Sequence, residues 1–128
     1  MNTENKIVIY TNKNCKSCQQ TMQEIKENNI DFTEKPILEF EEEWGNVVNT
    51  TYMNSTPVIL FKDNYFIAQR DFMDTSQLIA ILKNYEKPTA GTNTIVLERI
   101  KTLNYSINMA FGRLDQMLRQ IEDKLKDK

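Results

Sequence analysis

The sequence predicts an α/β fold: a mixed four-stranded sheet with flanking helices, extended by a long C-terminal amphipathic helix. Three observations predict it. Short β-branched runs alternate with segments of helical periodicity through the first two thirds of the chain. Two apolar runs, Pro57–Phe61 and Tyr65–Ala68, flank the turn residues Lys62-Asp63-Asn64 and read as a hairpin. Beyond a break containing Pro88 and Gly91, apolar residues recur at heptad spacing almost to the end. The 128 residues suit one small domain plus an appendage, and 40% hydrophobic with 27% charged residues supports a core.

Lys6-Ile7-Val8-Ile9-Tyr10 reads as a buried first strand, and Thr11-Asn12-Lys13-Asn14 as a turn. Cys18, Met22 and Ile25 then fall on one face of a helix that Asn28-Asn29 ends. Ile30–Lys35 alternates apolar and polar like a half-covered strand, and Pro36 is expected to break it. Acidic residues at Glu39–Glu43 suit the positive end of a second helix, with Gly45 weakening it. Asp74 with Gln77 resembles a capping box ahead of the stripe Leu78, Ile81, Leu82 and Tyr85. The first two strands should be parallel through a right-handed crossover.

This organisation gives a domain over residues 1–86, a linker over 87–93 and a helical extension over 94–128. In the extension Ile100, Leu103, Ile107, Ala110, Leu114, Met117 and Ile121 step by three and four, widened by Phe111, Leu118 and Leu125. An unbroken helix there would be roughly 50 Å long at 1.5 Å per residue. Its stripe needs a partner: a second copy in a coiled coil, the domain itself, or another protein. Gly112 marks either a close crossing or a break.

Composition narrows the function. Sixteen Lys plus Arg against eighteen Asp plus Glu leave no basic surplus for a nucleic-acid backbone. No apolar run is long enough to span a membrane, and the polar start, Met1–Lys6, does not read as a signal peptide. A cytoplasmic chain is expected. The absence of histidine removes the commonest general base and metal ligand, and with them His-assisted nucleophilic hydrolysis. Two cysteines do not make a zinc site within one chain.

Those cysteines, Cys15 and Cys18, carry the most information. Three apart in the first turn of a helix, they are close enough to join. The first sits among unpaired backbone N–H groups at the positive end of the dipole, which favours thiolate, and Lys13 and Lys16 add charge of the same effect. Cys15 is then the exposed nucleophile and Cys18 the resolving thiol, moving two electrons with no tightly bound cofactor. Inert thiols, or half of a metal site shared between chains, are the bland alternatives. Their place after a strand and before a helix favours the redox reading. Ser55-Thr56-Pro57 opens the third strand, either as a plain strand-start proline or as a cis-proline loop whose backbone meets an incoming peptide or thiol.

Over about residues 5–85 the chain resembles a glutaredoxin or a similar small redoxin. The resemblance rests on Ile9-Tyr10-Thr11, Cys15-Lys16-Ser17-Cys18 and Thr56-Pro57-Val58 with the hairpin and helix that follow. It implies a thioredoxin-like fold and dithiol-disulfide exchange, with Cys15 and Cys18 catalytic, Pro57 as the cis-proline and Thr56 offering backbone contacts. Lys13 and Asp74 are the further substrate-binding positions to consider. Lys16-Ser17 replaces the Pro-Tyr usual in glutaredoxins, and Arg70-Asp71-Phe72-Met73-Asp74 stands where they carry Gly-Gly. The latter is more similar to redoxins that donate electrons to ribonucleotide reductase and are recharged by thioredoxin reductase. The implied partners are a protein disulfide as substrate and thioredoxin reductase or glutathione as reductant. The alternative is a non-enzymatic assembly protein that keeps the fold and joins a larger complex through its C-terminal helix.

Overall fold

The computed structural model describes residues 6–86 and 93–126. Four strands and four helices follow in the order β1 (Val8–Thr11), α1 (Lys16–Glu27), β2 (Thr33–Pro36), α2 (Glu41–Thr51), β3 (Val58–Phe61), β4 (Asn64–Ile67), α3 (Thr75–Asn84) and α4 (Thr94–Lys126). The strands lie in the order β2-β1-β3-β4. β1 pairs parallel with β2 and antiparallel with β3, and β3 pairs antiparallel with β4. The mixed sheet and the long terminal helix agree with the sequence. Residues 87–92 of the expected linker lie outside the described residues.

Period-two alternation sorts the strand side chains onto two faces. Ile7, Ile9, Ile59, Phe61 and Phe66 face Ile25 of α1 and Leu78 and Leu82 of α3. Tyr10, Val58 and Ile67 face Trp44 and Val47 of α2. Trp44 is a core residue: its ring leans on Tyr10 at 5.8 Å and its Nε1–H donates to Asn54 Oδ1. Tyr10 donates its hydroxyl to Glu43 at 2.6 Å, and burial together with that carboxylate pushes the phenol well above its ordinary value.

Two boundaries differ from the sequence reading. β2 starts at Thr33 rather than Ile30 and includes Pro36, which pairs with Thr11. β2 is an edge strand, where a missing N–H costs no ladder bond. The next residue restores the contact, Ile37 N–H donating to Thr11 O at 2.9 Å. Lys62 and Asp63 both have positive φ, 50° and 63°, which gives the hairpin the primed turn that suits strand twist.

α4 runs unbroken through Gly112, and a Cβ there would meet nothing within 4 Å, so neither a break nor a close crossing within the chain exists at this position. The front of α4 is held by a buried ionic cluster. Arg70 and Glu98 have fully buried side chains and pair at 2.6 Å. Every N–H of the guanidinium is used: Nε donates to Asp71, Nη1 to Glu98 O and Thr102 Oγ1, and Nη2 to Tyr65 O and Glu98 Oε2. Glu98 Oε1 accepts from Tyr65 N–H and from Lys101. α4 thus covers both peptide groups of Tyr65 on the open side of edge strand β4. Arg99 and Thr102 donate to the last carbonyls of α2, at Asn49 and Thr51. Among the described residues no helix is long and apolar enough to cross a membrane.

Candidate redox-active site

β1 delivers the chain into the turn before α1, where Asn14 adopts φ 60°. Cys15 is the N-cap of α1 in extended conformation, and its Sγ accepts from Cys18 N–H at 3.1 Å. This is the capping geometry that serine or aspartate usually supplies, here supplied by sulfur. The two cysteines form a disulfide with Cα atoms 5.2 Å apart. Cys18 is buried (1% exposed) while Cys15 is half-buried, so Cys15 is the sulfur a partner can reach.

The loop before β3 closes the site from the opposite side. The Thr56–Pro57 peptide is cis. Thr56 Oγ1 lies 3.6 Å from Cys15 Sγ, and Thr56 O lies 4.0 Å from it. Ser17 Oγ is 3.5 Å away. The backbone amide and the two hydroxyls surround the Cys15 sulfur with groups able to donate to a thiolate, at the positive end of the α1 dipole.

The other expected positions are placed differently. Lys13 is exposed on the turn that leads into Cys15, with its backbone N–H donating to Asn12 Oδ1. Asp74 is the N-cap of α3, accepting from Gln77 N–H at 2.9 Å, while Gln77 Oε1 accepts from Met73 N–H. It also lines a groove of about 330 Å³ that begins at Ser17 and runs between α1 and α3 past Gln20, Gln69 and Met73. Asp74 therefore serves the helix end and borders the groove at once. The sequence reading missed Ser17 and Gln69. Ser17 stood inside the motif and was legible there; Gln69, at φ 76°, gave no signal. Among the described residues no cluster of three or more metal-ligating side chains is present.

Residues 7–66 match the family model described as Glutaredoxin. A point variant of the thioredoxin-like protein BC3987 aligns with a TM-score of 0.52 at 19% identity, over 62% of this chain and 100% of that one. Unaltered BC3987 aligns with a TM-score of 0.51 at 18% identity, over 59% and 99%. At such identity the likeness shows the fold alone, which is thioredoxin-like. No curated protein matches the chain significantly. The family match and the joined Cys15–Cys18 pair support a thiol redox role. The stretch similar to glutaredoxins is thus residues 7–66, on a thioredoxin-like fold, and α4 lies wholly outside it.

Proposed function

We propose that the chain is a thiol-disulfide oxidoreductase that reduces protein disulfides. The observation that carries this reading is the half-buried Cys15 sulfur at the head of α1, bonded to a buried Cys18 and facing Thr56. In the dithiol form the Cys15 thiolate attacks one sulfur of a substrate disulfide. The other substrate sulfur leaves as a thiolate and takes a proton. Cys18, losing its proton, then attacks Cys15 Sγ and expels the second substrate thiol. One substrate disulfide becomes two thiols, and the cysteine pair becomes the disulfide. A reductant that supplies two electrons and two protons resets the pair. Thr56, whose carbonyl oxygen lies 4.0 Å from the sulfur, is suited to hold the incoming chain, and the groove by Asp74 is open to the reductant or the substrate. Lys13 and Lys16 contribute general positive charge near the sulfur.

Reduction of insulin disulfides tests this, with glutathione and its reductase in one arm and thioredoxin reductase in the other. One arm should sustain turnover. Cys15→Ser should abolish it. Cys18→Ser should accumulate a covalent adduct between Cys15 and the substrate, visible as added mass that a small thiol removes. Turnover that survives Cys15→Ser would end this reading. Electron donation to ribonucleotide reductase is the narrower form of the proposal, and the purified reductase serves as its direct substrate test.

A further inference from the structure

α4 presents two different faces. Glu98, Thr102 and Tyr105, spaced by four and three, turn toward the sheet domain and are buried or half-buried. Ile100, Leu103, Ile107, Leu114, Met117 and Ile121 lie on the other side and are 43–59% exposed. Two residues of helix turn through about 200°, so Thr102 points away from Ile100 and Tyr105 away from Leu103. The apolar stripe therefore runs beside the docked segment without touching the domain. The domain cannot cover it, because Arg70, Glu98 and Thr102 fix the opposite face against the sheet edge.

We propose that this stripe pairs with the same stripe of a second copy of the chain. With Phe111, Leu118 and Leu125 at its margin, the exposed apolar surface is roughly 1,000 Å² per chain, above the about 800 Å² per partner that a stable interface buries. An isolated soluble chain rarely leaves so large a patch bare. The heptad spacing of three and four is the spacing that lets one helix interlock with another of the same pattern. From Ile100 to Ile121 the heptad positions carry no charge, and the charges nearest their margins, Arg113, Asp115 and Glu122, are of mixed sign. A second copy therefore meets no block of like charge. Because the domain sits behind the stripe, two stripes can meet with both domains outside. A symmetric self-pair is also the commonest form of assembly. The assembly needs no cysteine chemistry and stands apart from the proposed activity.

Sedimentation of the full chain tests it. The parent should sediment at twice the 15.1 kDa of one chain, or a larger whole multiple. Leu114→Glu combined with Ile121→Glu should return it to one chain with its helix content unchanged by circular dichroism. Gln116→Glu, two residues round from Leu114, should remain assembled. A parent that stays a single chain throughout the micromolar range would overturn the proposal. So would assembly that survives the double substitution, since another surface would then be responsible.

Discussion

Along α4, residues 94–102 and residues 106–126 share one helix but meet opposite surroundings. The first stretch buries polar groups: a carboxylate, a hydroxyl and a neighbouring guanidinium satisfy each other and the sheet edge. The second leaves apolar groups in water, with every described residue exposed. Among the described residues no buried side-chain polar atom lacks a partner. One element thus carries two chemistries: a buried polar face fixes where the helix leaves the domain, and the stretch beyond it exposes an apolar stripe.

The largest expected effect comes from breaking the docked end. Glu98→Ala leaves buried Arg70 with Asp71 as its one remaining carboxylate partner among the described residues, and should cost about 3 kcal/mol in a urea titration. Replacing both partners, Arg70→Met with Glu98→Leu, should cost less, because the guanidinium goes with its carboxylate and Asp71 keeps Ile67 N–H and Lys101. If the single and double variants lose the same amount, the ionic cluster is not what holds the helix. At the exposed end, Gly112→Ala should raise helix stability by about 1 kcal/mol, seen as a later loss of far-ultraviolet ellipticity on heating. No steric cost offsets that gain, since the site is open.

The smallest effect sharpens the contrast inside the sheet domain. Lys35 and Glu43 pair at 2.7 Å, yet both remain partly exposed. Burial opposes the Glu43 charge, but bonds from Lys35 and Tyr10 outweigh it and hold the carboxyl below the ordinary 4.5. A depressed carboxylate stabilises the fold above its unfolded pKa, and that contribution disappears as pH falls through the folded value. Glu43→Gln should therefore flatten the acid side of the stability profile while changing neutral stability little. An unchanged acid slope in that variant would assign the slope to other carboxylates.

Local chemistry made much of this legible in the sequence. The two cysteines, the proline that opens β3, the hairpin turn and the Asp74 cap each act within a few residues, so spacing alone reveals them. The β2 boundary was misread because an edge strand accepts a proline that a central strand would refuse. Arg70 and Glu98 were invisible for a different reason. They are 28 residues apart, and a charged residue read singly suggests solvent, not a shared burial. Thr56 was named from the motif for its backbone, but the approach of its hydroxyl and of Ser17 Oγ to the Cys15 sulfur depends on the loop before β3 meeting the head of α1.

The bond from Tyr65 N–H to Glu98 also bears on how this chain can be dissected. A chain ended ahead of Thr94 would leave the Tyr65 N–H on the outer rim of β4 without its acceptor and Arg70 without Glu98. Such a rim recruits strands from neighbouring molecules. Truncation could then introduce an association of its own, and a heavier species after cutting would report exposed backbone instead of the proposed helix pairing. Surface point changes on an intact chain keep the two apart.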